Sequence, residues 1–589
     1  MASIFIACPS VGFCGTRRRN MSSGFQKKSY SRQPTNTVLA VTIDPVAPVI
    51  RRSAHYPPSE WSYDFLQSLA GNTVSEKYKT PSCNLKEKVR KMIVKEISVE
   101  NPLSTLQLFD DLQRLGISYH FKDEISNSLK MLFGRYYEAR ENWNQMNLNL
   151  KALGFRLLRQ HGYHIPQEIF EDIKDESGSI KDDVREDVVG MLNLYEASIY
   201  AVDDENIMDE AREFTSKCLR EELEKKNNIV NKSTRMLVSH ALELPLLWRL
   251  PRFESIWFIE AYRERSDMIP LLFEFAQLDY NILQGIHQED LKHTSRWWAG
   301  LNWDKKLEFA RDRMVESFMW SIGGNHEPQF SVQRRNVTKL ITMVNVVDDV
   351  YDVYGTLDEL ERFTEVVRRW DLNAAEGLPE YMKICFLGLN NSIDEMGYHT
   401  LTNQGSYVIP YVRKAWIDYC EANLLEARWF NSGYTPTLEE YLNNSRTTVA
   451  IPVIVSCAYF LDSNVSIEEN LQNVIQWSAV VLRLADDLGT ASAELERGDV
   501  PKAVQCYMHE TGVCEEKARA YIKSLIIDAY KKISKERMAC KSPALQIFME
   551  CASNLGRMGQ FTYERGDIFG APDDLYKNHQ ISLLFSPKS

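Results

Sequence analysis

The stretch Leu340-Ile341-Thr342-Met343-Val344-Asn345-Val346-Val347-Asp348-Asp349-Val350-Tyr351-Asp352 decides the fold. Its first eight residues are mostly apolar, lack Gly and Pro, and run longer than the usual buried strand, so they read as a buried helix. Three carboxylates stand at the polar end of that run. On a helix Asp348 and Asp352 are i and i+4 and share one face, whereas Asp349 is turned about 100° away. Carboxylates that leave a core together need a cation. Oxygen-only ligands with open positions suit Mg²⁺ or Mn²⁺, whose shells substrate phosphates complete. Taken alone, the stretch has an alternative reading as a solvated acidic helix end.

A second acidic element follows another apolar run far downstream: Leu482-Arg483-Leu484-Ala485-Asp486-Asp487-Leu488-Gly489-Thr490, then Glu494. Asp486, Thr490 and Glu494 are spaced i, i+4, i+8, so one helical face offers three oxygen ligands in a row. Two such faces looking at each other would hold a cluster of divalent ions, which makes sense around a polyanion such as diphosphate.

With both elements in view the sequence resembles the plant terpene synthases, over the chain from about Arg51 to the C-terminus. Asp348, Asp349 and Asp352 match the aspartate-rich DDxxD motif of that family, and Asp486, Thr490 and Glu494 match its second metal motif. Arg311-Asp312-Arg313 matches the RxR motif, and Arg51-Arg52 with Trp61 matches the tandem-arginine motif of the monoterpene-forming branch. The resemblance implies an all-α chain of two helical domains. Residues 51–265 would form an α-barrel-like structural domain whose N-terminal strand caps the active site, and residues 266–589 the class I catalytic bundle. It also implies a cluster of three Mg²⁺ ions, with Mn²⁺ as a substitute, acting on geranyl diphosphate.

Length and composition agree with these expectations. A chain of 589 residues exceeds one ordinary core, so two domains is the natural reading. There is no uncharged apolar stretch long enough to span a bilayer. A net charge of −12 argues against nucleic acid as partner, leaving any polyanion to be recognised locally through metal. The eleven cysteines show no CxxC pair, which fits reduced thiols and excludes a structural zinc site. A monomer or homodimer is compatible with all of this.

Residues 1–50 differ from the rest. They hold six basic residues, six serines and the single acid Asp44, a charge of +5, so the whole-chain −12 leaves −17 on the remainder. That composition is typical of organelle transit peptides. Together with the resemblance it places the mature chain, beginning near Arg51, in the plastid stroma. In residues 51–265 the acidic pairs Asp110-Asp111, Asp182-Asp183 and Asp203-Asp204 never extend to DxDD, so this half reads as structural.

Around the metal motifs, Arg311, Arg313, Arg483 and Lys502 are the expected diphosphate binders, with Arg311 favoured over Arg313 because residues two apart diverge on a helix. Each guanidinium about 4 Å from phosphate would contribute roughly 4 kcal/mol at an effective dielectric of about 20. An allylic cation left after ionisation calls for a dry aromatic pocket, where cation–π contacts supply about 2 kcal/mol each. Similarity to family text selects Trp320, Tyr563 and Phe569 for it, with Phe569 standing where some relatives carry His. Ile341 and Leu482 are not the aromatics of isoprene-forming relatives, which argues against a five-carbon substrate. Pro452 would interrupt an apolar helix between the two metal helices. The competing readings are an acyclic monoterpene product, a sesquiterpene synthase using farnesyl diphosphate, and an inactive helical scaffold.

Overall fold

The first aspartate helix, Ser331–Asp349, buries nearly every side chain from Val337 to Val347, as its apolar run requires. This computed structural model describes residues 51–589 apart from 98–99, 226–230, 463–467, 498–500, 567–568, 571 and 589, and apart from the side chains of 72–76, 462 and 492–497. The transit-peptide reading of residues 1–50 lies outside the described residues. Among those described there is no strand, only an isolated bridge between Lys174 and Ile180, and the chain is all-α as expected. No helix among them is long and apolar enough to cross a membrane.

Two hydrophobic cores organise the unit Arg51–Ser589. One runs from Leu85 to Tyr280, the other takes Leu66 and then Leu250 to Leu584. The long helix Pro270–Leu301 belongs to both, with Leu272, Phe275 and Tyr280 in the first core and Leu291 and Trp298 in the second. A boundary at residue 265 falls in the loop before that helix, and the helix ties the two cores together. Leu66 shows that the N-terminal segment packs on the C-terminal half.

The second aspartate helix, Glu469–Arg497, lies against Pro543–Tyr563. Their close approach depends on glycine. A Cβ on Gly559 would stand 3.1 Å from the Leu482 Cα, and one on Gly489 would stand 2.4 Å from the Tyr563 carbonyl oxygen. Gly489 thereby brings the end of the Tyr563 helix beside Asp486 and Thr490.

The break around Pro452 is a junction of two helices rather than a kink in one. Leu438–Thr448 ends, Ala450 takes a left-handed φ of 68°, and Ile451–Asp462 begins with Pro452 in its first turn. A proline there forgoes an N–H that has no helical partner anyway.

Candidate active site

At the end of the first aspartate helix the three carboxylates part company. The Asp348 side chain is 28 % exposed, Asp352 is exposed, and Asp349 is 0 % exposed. Asp349 Oδ2 accepts the backbone N–H of Arg311 at 2.8 Å, and its Oδ1 lies 3.1 Å from Arg311 Nε. The same guanidinium donates through Nη2 to Asp348 Oδ2. Burial, opposed by Arg311 and aided by Asp348, pushes the Asp349 carboxyl up to about 6. Asp349, which the sequence groups with the metal ligands, is placed by the structure as the anchor of Arg311. Asp352 sits in a π-turn, Val350–Tyr354, which widens the last turn at the point where the acidic face opens.

The second aspartate helix repeats the arrangement. Asp486 is 15 % exposed in its side chain and accepts from Arg483 Nη2, while Asp487 is 0 % exposed. Asp487 Oδ1 accepts from Arg483 Nε at 2.7 Å and from the Tyr441 hydroxyl at 3.0 Å, and its Oδ2 accepts the backbone N–H of Ala503 at 3.0 Å. In each pair, then, one aspartate stays partly open and shares an arginine with a fully buried neighbour that also takes a backbone N–H from a distant segment. Thr490, buried, donates its hydroxyl to the Asp486 carbonyl at 2.9 Å, which leaves the hydroxyl oxygen its acceptor capacity. Lys502, buried, precedes Ala503 at the start of the next helix. Glu494 lies on the same helix, but its side chain is outside the described residues.

Tyr563 connects the two ends. It acts electrostatically on the Arg311 guanidinium from one side, and its carbonyl packs against Gly489 on the other. The candidate site comprises the two helix ends that carry the partly open aspartates Asp348 and Asp486. Its donors are carboxylate and hydroxyl oxygens, with no cysteine or histidine among them, which fits a hard divalent ion. Among the described residues no three acidic, His or Cys side chains converge on one point.

The N-terminal segment lies over the first of these helix ends. Arg51 pairs with both oxygens of Glu359 at 2.8 and 2.9 Å, donates to the Tyr354 carbonyl at 3.0 Å, and stacks over the rings of Tyr354 and Tyr381. Arg52 lies over Phe430, 4.6 Å from the ring centroid. Trp61 donates to Gln580 Oε1 at 3.3 Å and packs on Phe585. Tyr56, between them, places its ring 5.2 Å from the Arg311 guanidinium carbon. Arg313 departs from its sequence assignment as a diphosphate binder. Its guanidinium is 1 % exposed and donates to the carbonyls of Phe569, Gly570, Pro57 and Asp312, so it clamps the cap to the C-terminal loop.

Of the pocket residues, Trp320 and Phe569 meet edge to face with centroids 5.9 Å apart, and Ile341 is buried on the first aspartate helix. Sequence reasoning missed Tyr56, Glu359 and Tyr419. Tyr419 is fully buried, its hydroxyl has no hydrogen-bond partner, and the charges of Asp348 and Asp352 act on it. Glu359 carried a signal, because Thr356 and Glu359 form a capping box that starts Leu357–Arg369.

The cap contact has a pH signature. Against the upward push of burial, the hydrogen bonds from Arg51, Thr356 N and Tyr381 hold Glu359 down at about 2, below its ordinary 4.5. A depressed carboxylate contributes stability above its unfolded pKa and loses it as pH falls through the folded one, here from about 4.5 toward about 2. Discounted for solvent screening, the contribution is about 1–2 kcal/mol. Glu359→Gln is therefore expected to lower the urea-unfolding free energy by about that much at neutral pH, with the difference from wild type shrinking as pH falls through this window.

Comparison with known proteins agrees with this architecture. Residues 60–242 match the family model described as "Terpene synthase, N-terminal domain", and residues 299–532 match "Terpene synthase family, metal binding domain". An R-linalool synthase of Artemisia annua, named as chloroplastic, is 50 % identical, with the alignment covering 95 % of this chain and 98 % of the relative. A limonene synthase solved with 2-fluorolinalyl diphosphate superposes with a TM-score of 0.87 at 38 % identity, covering 92 % of this chain and 100 % of that one. Isoprene synthase from grey poplar leaves (Populus x canescens), solved with three Mg²⁺ ions and dimethylallyl-S-thiolodiphosphate, superposes at 0.81 with 40 % identity, covering 90 % and 99 % of the two chains. Two family models spanning most of the chain, and near-full-length relatives at this identity, establish that it belongs to the terpene synthase family.

Proposed function

We propose that the chain is a plastidial monoterpene synthase, a lyase that ionises geranyl diphosphate and converts the resulting cation to a monoterpene with release of diphosphate. The observation that carries this reading is the pair of open aspartates, Asp348 and Asp486, each locked from behind by an arginine and a buried partner. Similarity to the R-linalool synthase and the limonene synthase supports the ten-carbon substrate class. Asp348, Asp352, Asp486, Thr490 and Glu494 would hold Mg²⁺, three ions by analogy with the isoprene synthase complex, with Mn²⁺ as a substitute. Bound there, the ions supply the positive charge that stabilises diphosphate as it leaves.

The chain's own residues do the rest. Asp349 and Asp487 fix Arg311 and Arg483 by salt bridge and hydrogen bond, so both guanidiniums stand at the rims of the cleft, where they would add charge to the leaving group without reorganising. The Arg51 to Trp61 segment excludes water from the cleft, anchored at Glu359, at Gln580 and, through the carbonyl of Pro57, at Arg313. Trp320, Phe569 and Tyr563 offer aromatic faces to a cation, and Ile341 sets part of the wall.

The similarity to a linalool synthase favours, as a second reading, an acyclic product formed by capture of water. Gas chromatography with mass detection, on purified protein given Mg²⁺ and either geranyl or farnesyl diphosphate, tests both readings. Ten-carbon products from geranyl diphosphate are expected, and their structures decide between ring closure and water capture. Turnover of farnesyl diphosphate alone would overturn the monoterpene assignment.

A further inference from the structure

A second cavity, of about 650 Å³, opens between the N-terminal and C-terminal halves, lined on one side by residues around Tyr119 and His161 and on the other by residues from Tyr530 to Arg557. Its size is that of a small-molecule site. None of the aspartates or arginines of the cleft lines it.

The charges on its wall do not balance. Lys122 is neutralised by Glu327 at 2.8 Å, and Arg159 by Glu205 at 2.5 Å. Glu550 is shared by two guanidiniums, Arg557 at 2.7 Å and Arg537, and against the push of burial they hold it ionised at about 2. One carboxylate thus serves two arginines. The Arg557 Nε is buried without a hydrogen-bond partner although the residue is only 4 % exposed. Lys541 adds a further charge, with Nζ donating to the carbonyls of Gly162 at 3.3 Å and Met538 at 3.1 Å. Burial lowers both His161 and His326, so neither ring adds charge at neutral pH. The cavity wall therefore carries two surplus positive charges in a protein whose net charge is −12. The remaining wall mixes polar side chains such as Gln113, Asn325 and Gln546 with an apolar and aromatic part made by Ile125, Phe330, Tyr530, Ile533 and Ile547, the last 39 % exposed.

We infer that this cavity binds a small amphipathic organic anion, an apolar or aromatic body bearing a phosphate or carboxylate head that Arg537, Arg557 and Lys541 recognise. Surplus guanidinium and ammonium charge supplies the recognition of the head, and the apolar wall takes the body. Binding there would bridge the two halves and stabilise the folded chain.

Calorimetric titration of the full chain in EDTA, with phenyl phosphate, benzoate and inorganic phosphate as separate probes, tests the inference, because divalent metal is then absent from the catalytic cleft. Saturable binding of phenyl phosphate or benzoate, tighter than inorganic phosphate, is expected, and the tighter of the two identifies the head group. Lys541 is exposed, so Lys541→Glu folds normally. It should weaken that binding about tenfold or more and leave turnover of geranyl diphosphate unchanged. No saturable binding of either aromatic probe, or equal affinity in wild type and Lys541→Glu, would overturn it.

Discussion

Asp348→Ala is expected to lower kcat/KM for geranyl diphosphate by a factor on the order of 10³ while leaving the unfolding midpoint within about 2 °C of wild type. The carboxylate is partly exposed and bonded to a single guanidinium arm, so removing it leaves no unpaired group in the core. Arg311 keeps Asp349 through both its backbone N–H and its Nε. What is lost is a rim ligand of the cleft, and with it several kcal/mol of stabilisation of the departing diphosphate. Steady-state kinetics beside a thermal melt check both halves of the expectation. A large fall in melting temperature would mean that Asp348 is structural.

The opposite pattern is expected at the buried partner on the second helix. Asp487→Ala removes the acceptor of Arg483 Nε, of the Tyr441 hydroxyl and of the Ala503 N–H in one step. Breaking a buried ion pair by deleting one member costs about 3–5 kcal/mol, because the remaining charge stays buried without compensation. The melting temperature should therefore drop by several degrees. Activity should fall too, since Arg483 then keeps only its single Nη2 bond to Asp486 and loses the Nε bond that fixes the plane of its guanidinium. Urea unfolding of Asp487→Ala and Asp486→Ala side by side measures the contrast. Equal stability of the two variants would contradict the division of labour between open and buried aspartates.

Much of this site was legible in the sequence. The apolar run up to Val347 called for a buried helix, and helical geometry alone turned Asp349 away from Asp348 and Asp352. The helical spacing rule that separates Arg311 from Arg313 sets both on a helix, whereas both precede the helix Met314–Gly324, and it is their loop positions that direct them to different partners. What the sequence did not carry was tertiary pairing. The lock of Arg311 on Asp349 and the salt bridge of Arg51 to Glu359 join residues 38 and 308 positions apart, beyond any local spacing rule. Asp352 was placed on a regular helix, whereas the π-turn at Val350–Tyr354 shifts it through one extra residue per turn. Tyr56 lay in a Pro-rich stretch that reads as linker until its ring is seen against Arg311. The helix Pro270–Leu301, just after the expected boundary at residue 265, contributes to both cores, a sharing that no local pattern announces.

Calorimetry of inorganic diphosphate binding to the cleft, with and without Mg²⁺, in wild type, Asp348→Ala and Asp486→Ala, bears most directly on whether the two open aspartates act together through metal. Tight binding only in the presence of Mg²⁺, lost when either aspartate is replaced, is expected. Diphosphate binding that is independent of Mg²⁺, or that survives both substitutions, would contradict it.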